Sequence, residues 1–170
     1  MSSGQTLMAI GALILLSVVI LSGNRRMNDN EGYLLQTRFG LEATAIATSI
    51  IEEASQLPFD EQSWDTTKIE KVPSDFTLPY YMGPDAGEST FDDFDDFDDF
   101  NKWVKTDTTQ QNIYNILCTV GYVDAGPSAT NLDSCSTYRT LYKKLDVTIT
   151  SPITNDTLEL SYIHGFWFFN

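Results

Sequence analysis

The sequence predicts an α+β protein in which a long N-terminal α-helix packs on a small antiparallel β-sheet. Apolar residues first form an uninterrupted run and then recur at helical spacing as far as Leu57. Three later segments alternate apolar and polar residues with the period of a β-strand. The chain has 170 residues. That length suffices for one domain with a hydrophobic core and one extended element, but not for two full domains.

The charge balance is strongly acidic and limits the class of partner. The chain carries 24 Asp and Glu against 10 Lys and Arg, which gives a formal net charge of -14. Because the basic residues are scattered, we expect no surface that tracks phosphates, and nucleic acid is not an expected partner. An acidic exterior fits either a soluble extracellular surface or a cation-binding surface, and composition does not choose between them.

Residues 1–24 are predicted to form a hydrophobic stem or transmembrane helix. The segment from Ser2 to Asn24 carries no charge. As a helix it would reach about 35 Å, enough to cross a hydrocarbon core of roughly 30 Å. It lacks the basic start and small-residue cleavage site of a secretory signal that is removed. We therefore expect the stem to lie in lipid or in a bundle of identical stems, through Leu7, Ile10, Leu13, Ile14, Leu16, Val18, Ile20 and Leu21.

Residues 25–57 are predicted to continue the same helix as an amphipathic half. Apolar residues recur there at steps of three and four, and the first proline of the chain is Pro58. One helix from about Gly4 to Leu57 would be roughly 80 Å long. Gly23 and Gly32 mark places where it could bend. The expected apolar stripe consists of Leu35, Phe39, Ala43, Ile46, Ile50, Ala54 and Leu57.

The stretch "GQTLMAIGALILL" resembles the N-terminal motif of the type IV pilin-like superfamily, which comprises pilins and pseudopilins. Laid on that motif, Gly4 precedes the processed bond and Gln5 becomes the first mature residue, so these two form a candidate processing site. Ala9 falls where the family usually has Glu. The resemblance implies a long helix ahead of an antiparallel sheet.

In function, the resemblance implies a non-enzymatic structural subunit of an extracellular filament. Many identical copies would polymerise through their stems, after a membrane-embedded precursor state and with the help of a pilus-type assembly machinery. The alternative is a membrane-anchored binding module, or a minor pseudopilin-like component of a secretion or pilus apparatus.

Two cysteines, Cys118 and Cys135, are predicted to form a disulfide, with two separate thiols as the alternative. Gly121, Gly126 and Pro127 make the intervening segment a turn-rich loop. A disulfide requires an oxidising compartment and therefore favours a domain outside the cell. Arg25 and Arg26 oppose this orientation, because positive residues that follow a membrane span tend to stay in the cytoplasm.

Residues 58–170 are predicted to form a β-rich globular domain. Pro58 to Gly87 is expected to be a wrapping connector. The first strand should begin at Tyr114, and the turn "SPITND" should join the last two strands. That turn contains a glycosylation-type sequon at Asn155. The expected apolar faces are Tyr114, Ile116, Cys118, Val120 and Tyr122; Leu141, Leu145, Val147 and Ile149; and Leu158, Leu160, Tyr162, His164 and Phe166.

The acidic repeat "FDDFDDFDDF" occupies residues 91–100. A period of three would place its phenylalanines on one side of a 3₁₀ or polyproline turn. One interpretation is a solvated acidic loop pinned to the domain by these rings. The other is a calcium site, since calcium takes several oxygen ligands in flexible geometry. Its candidate ligands are Asp92, Asp93, Asp95, Asp96, Asp98 and Asp99.

Catalytic chemistry has few candidates in this sequence. His164 is the single histidine and is expected to be structural, and no phosphate-binding loop or nucleophile elbow is present. The aromatic cluster at the end of the chain, Phe166, Trp167, Phe168 and Phe169, is expected to serve in edge packing or a subunit contact.

Overall fold

A computed structural model describes residues 3–64, 73–85, 87–88, 91–109, 112–125, 132 and 135–166. The described residues contain one long α-helix and a four-stranded antiparallel sheet, which confirms the predicted α+β class. Several single turns of 3₁₀-helix connect them. The elements are α1 (Ser3–Gln56), β1 (Val104–Thr108), β2 (Ile113–Tyr122), β3 (Tyr142–Thr150) and β4 (Thr157–Gly165).

Helix α1 spans 54 residues and matches the predicted bounds to within one residue at each end. It remains helical through Gly23 and Gly32. Leu57 follows the helix and precedes Pro58, and the residue before a proline is disfavoured in helical conformation, which explains the stop. The chain divides into two compact units, Met1–Phe39 and Gly40–Asn170.

The described residues of the first unit are all helical and carry the predicted stem. Of the described residues, α1 is the one helix long and apolar enough to cross a membrane by length and composition. The large apolar side chains of its first turns are exposed among the residues that the structure describes. The eight predicted stem residues, Leu7, Ile10, Leu13, Ile14, Leu16, Val18, Ile20 and Leu21, are between 54% and 70% exposed.

In the second unit, the remaining turns of α1 present a buried face of small residues. Ala43, Ala47 and Ala54 are completely buried, and Ile50 is nearly so. Alanine leaves room for the helix backbone to approach neighbouring side chains closely. The predicted stripe is right at Phe39, Ala43, Ile50 and Ala54, partly right at the half-buried Ile46 and Leu57, and wrong at Leu35, which is exposed.

The four strands form a simple antiparallel meander in the order β1-β2-β3-β4. The predicted apolar face of β2 is confirmed, since its five even-numbered residues from Tyr114 to Tyr122 are buried. Leu145, Val147 and Ile149 of β3 are likewise buried, whereas Leu141 lies outside the strand and is partly exposed. The core of the second unit therefore lies on this face of β2 and β3.

A polar contact also joins α1 to the sheet within the second unit. The hydroxyl of Tyr114 donates a hydrogen bond to the Glu42 carboxylate. Tyr114 is fully buried in β2, so this bond satisfies its hydroxyl inside the core.

The predicted turn between the last two strands is present. Ser151 N–H donates to the carbonyl of Asp156, and Asn155 N–H donates to the carbonyl of Ser151. Asn155 is exposed and has a φ of 57°, a left-handed conformation that asparagine tolerates well. Glycosylation at this position stays a prediction.

Candidate functional site

The acidic repeat forms two short 3₁₀-helices, Phe91–Asp93 and Phe97–Phe100. Phe94, Phe97 and Phe100 are buried, as expected of rings that pin the loop to the domain. The expectation of a solvated run of carboxylates is wrong for half of the aspartates. Asp96, Asp98 and Asp99 are at most 5% exposed.

These buried carboxylates accept backbone hydrogen bonds that close the loop on itself. The Asp96 carboxylate accepts from Asp98 N–H at 2.7 Å and from Glu61 N–H at 2.7 Å. The Asp99 carboxylate accepts from the N–H groups of Asp95 and Asp96 at 3.0 Å each. The bond from Glu61 attaches the repeat to the segment that follows α1.

The counter-charge for the repeat is Lys143, on the buried face of β3. Its side chain is 0% exposed. The Nζ atom donates to the carbonyl of Phe59 at 2.5 Å, to Asp60 Oδ2 at 2.9 Å and to Asp98 Oδ1. The rings of Phe59 and Tyr122 lie 4.6 Å and 5.6 Å from Nζ. The buried ammonium group of Lys143 therefore contacts two carboxylates and lies beside two aromatic rings.

The second carboxylate, Asp60, is held from another side as well. Asp60 is fully buried, and its Oδ2 atom also accepts from Thr77 N–H at 2.9 Å. The carbonyl of Thr77 accepts the hydroxyl of Tyr122 at 2.7 Å. We call Asp60, Asp96, Asp98 and Lys143 the lysine cluster.

Burial raises the pKa of three aspartates of the acidic repeat, Asp96, Asp98 and Asp99. It raises the pKa of Asp96 to about 7, and repulsion from Asp98 adds to the shift, while Lys143 and two backbone hydrogen bonds oppose it. Burial also raises the pKa of Asp99 to about 7. The pKa of Asp98 is raised by burial against the attraction of Lys143.

His164 lies beside the cluster, next to Lys143 in the sheet. It pairs with Lys143 across β3 and β4 and stacks on Phe97 at 4.9 Å and on Phe59 at 5.9 Å. Burial, followed by the positive charge of Lys143, lowers its pKa. Phe166 packs against Phe59 and Phe76, whereas Trp167, Phe168 and Phe169 lie outside the described residues.

The sequence-based prediction did not include Lys143 or Asp60 in any site. A usable signal existed for the lysine, because position 143 falls between Leu141 and Leu145 on the apolar side of the predicted strand. A charged residue at a core position requires a buried partner. The acidic repeat, with its surplus of carboxylates, was the candidate source of such a partner.

The predicted calcium ligands do not converge on one point. Asp96 and Asp98 face the protein interior, Asp93 and Asp95 are exposed, and the side chain of Asp92 lies outside the described part of the chain. Within the described residues, Glu88, Asp95 and Asp99 could hold a metal ion, with one oxygen of each within 4.8 Å of the others. Glu88, which precedes the repeat, was absent from the predicted set.

The predicted disulfide is wrong, because Cys118 and Cys135 are both free. Cys118 is fully buried on the core face of β2. Cys135 covers Gly121, where an added Cβ would lie 2.4 Å from its sulfur. Residues 118 and 121 point to opposite faces of a strand, so the sheet separates the two thiols. The two free thiols give no reason to expect an oxidising compartment.

No protein-family model matches this chain, no curated protein matches its sequence, and no solved structure matches its fold. The two candidate sites therefore rest only on the geometry of this chain. One is the exposed apolar stem in the first unit, and the other is the lysine cluster in the second.

Proposed function

We propose that this protein is the structural subunit of a pilus-like extracellular filament, which polymerises through its N-terminal helix. The observation that carries the proposal is the exposed stem, whose eight large side chains are each more than half exposed and, together with the exposed Met8, Leu15 and Val19, point to all sides of α1. The same helix then continues into a folded domain. The resemblance of residues 4–16 to the pilin motif supports the same function.

The exposed area is too large for the stem to remain in water. Complete burial of one such side chain contributes about 1.5–3 kcal/mol, so covering the exposed parts of eight contributes on the order of 10 kcal/mol. Lipid supplies this cover before assembly, and neighbouring stems supply it in the fibre. Because both surroundings are apolar, transfer between them gains little hydrophobic energy and depends on packing.

Small residues in the stem support close packing of neighbouring helices. Gly4 and Gly11 face open space, with no atom within 4 Å of an added Cβ. Together with Ala9 and Ala12 they leave shallow places on α1 where another helix could approach. Extraction from the membrane requires an external motor, as the resemblance implies.

The proposal places the domain outside the cell. Since the predicted disulfide is absent, this placement follows only from the proposed filament. Arg25 and Arg26 would favour the opposite orientation. The exposed thiol of Cys135 offers a direct test. A membrane-impermeant maleimide added to intact producing cells should label Cys135, and labelling that occurs only after lysis would contradict the proposed placement.

The assembly mechanism is tested by a charge in the stem. Ile14→Lys places a cation at the centre of the apolar segment, which costs about 2.5–3.5 kcal/mol in a membrane span. We expect loss of filaments from the cell surface. The matched control is Tyr80→Lys, at a position 87% exposed on the domain, which should leave filaments intact. Normal filaments from the Ile14 variant would refute assembly through the stem.

A second candidate function is a membrane-anchored binding module whose acidic loop takes calcium. It is favoured by the three converging carboxylates of Glu88, Asp95 and Asp99. Calorimetry of the full chain with calcium should then show binding that Asp95→Asn weakens. Copy number separates the two functions, because a filament subunit is abundant in sheared surface material and an anchored module is scarce there.

A further inference from the structure

We propose that Lys143 and Asp98 condense into an intramolecular isopeptide bond, with Asp60 as the proton carrier. The lysine cluster places the side-chain nitrogen of Lys143 in contact with one oxygen of each of two carboxylates, those of Asp98 and Asp60. This inference stands independently of the proposed filament function, since it concerns only the interior of the second unit.

The first supporting observation is contact between the reacting groups. Nζ of Lys143 touches Oδ1 of Asp98, so the nitrogen lies next to the carboxyl carbon that bears this oxygen. The two residues are 45 positions apart, and the folded chain holds them together. Such fixed proximity replaces a bimolecular encounter and lowers the entropic part of the barrier.

The second observation is the exclusion of water. The side chains of Lys143 and Asp60 are 0% exposed and that of Asp98 is 4% exposed. The aromatic rings of Phe59 and Tyr122 flank the nitrogen. A closed site of this kind prevents hydrolysis of the reacting centre and favours loss of the water that condensation releases.

The third observation is a proton acceptor in contact with the nitrogen. Asp60 Oδ2 accepts a hydrogen bond from Nζ at 2.9 Å and can take a proton from the ammonium. The free amine then attacks the Asp98 carboxyl carbon and forms the carbon–nitrogen bond. One Asp98 oxygen leaves as water with two of the three ammonium protons, which Asp60 transfers in turn. The third stays on the new amide nitrogen, so no other reactant is needed.

The surrounding hydrogen bonds also suit the product. The carbonyl of Phe59, now 2.5 Å from Nζ, can accept the remaining amide N–H. Condensation removes one positive and one negative charge, and the cost of keeping this pair out of water, and it leaves Asp60 without the charge of Lys143. Asp60 keeps its bond from Thr77 N–H. The reaction would join β3 covalently to the acidic repeat.

Mass spectrometry of the full chain, purified in detergent and then denatured, tests the bond directly. We expect an intact mass lower than that of the sequence by one water molecule. A tryptic digest should contain peptide 72–102 joined to peptide 140–144 through Asp98 and Lys143. The joined peptide is essential, because a succinimide at any aspartate also loses water. A full mass, with peptide 72–102 unlinked and with cleavage after Lys143, would overturn the proposal.

Two variants test the assigned roles. Lys143→Arg keeps the cation but cannot condense, so it should have the full mass. Asp60→Asn keeps the Lys143 and Asp98 pair but removes the proton carrier, so the joined peptide should be absent or strongly reduced. Asp29→Asn, an exposed aspartate in the first unit, is the matched control and should carry the bond. A complete bond in the Asp60 variant would overturn the role of Asp60. Should either variant fail to fold, the wild-type mass and digest still decide the proposal.

Discussion

The buried carboxyl of Asp96 predicts that the domain is more stable at pH 5 than at pH 8. Its folded-state pKa of about 7 lies above the ordinary value of 3.8, so the folded chain holds a proton that the unfolded chain releases. This contribution is fully present below the unfolded pKa and is lost as the pH rises through 7. Between pH 8 and pH 5 it amounts to about 2–3 kcal/mol.

Asp96→Asn removes this contribution, together with the part of the Asp99 pKa shift that repulsion from Asp96 causes. The amide is neutral at every pH, so the gain in stability on acidification should be smaller by about 2–3 kcal/mol than in the wild type. His164 acts in the opposite direction, because its lowered pKa costs stability as the pH falls below 6.5. His164 is present in both proteins, so its effect cancels in the comparison.

The assay is denaturant unfolding of the full chain in detergent micelles, followed by tryptophan fluorescence at pH 5 and pH 8. Asp29→Asn serves as the control, since its carboxyl is exposed, and it should retain the wild-type dependence on pH. The reasoning is refuted if the Asp96 variant gains as much stability on acidification as the wild type.

Three further predictions follow from side-chain contacts in the second unit. Gly121→Ala should destabilise the domain by about 1–3 kcal/mol through overpacking, and Cys135→Gly should restore it; additive effects of the two changes would argue against this contact. A maleimide should label Cys135 in the folded protein but Cys118 only after unfolding, because burial raises the pKa of the Cys118 thiol to about 12; equal labelling rates would contradict its buried position. Tyr114→Phe should cost about 1–3 kcal/mol in unfolding free energy, while Tyr80→Phe, at an exposed tyrosine, should cost nothing measurable; similar losses would exclude a stabilising bond to the helix.

The helix and three of the four strands could be predicted because each carries its own periodic signal. In α1 the apolar steps of three and four continue to Leu57, and a proline follows. Strand β1 gives no such signal, since "VKTDT" is mostly polar and exposed. Its extended conformation comes from pairing with β2, in which Val104 faces Leu117 and Thr108 faces Ile113. Pairing with a neighbour is a tertiary effect that local alternation does not reveal.

The site was harder to predict, because its charges are brought together only by folding. From the sequence of the acidic repeat alone, we expect its carboxylates to repel one another and to be solvated. In the structure, Lys143 reaches Asp98 from β3, and Asp60 belongs to the segment that follows α1. The error at the cysteines has a simpler cause. Strand alternation already placed Cys118 on the core face, and it should have outweighed the turn-rich composition of the loop before Cys135.

The central claim is that the stems of many copies form the axis of a filament. The most direct measurement is cryo-electron microscopy of material sheared from the surface of producing cells. We expect a helical fibre with residues 3–39 of each copy at the axis and the sheet domains on the outside. A fibre whose axis contains other segments, or the presence of this protein in the membrane fraction alone, would contradict the claim.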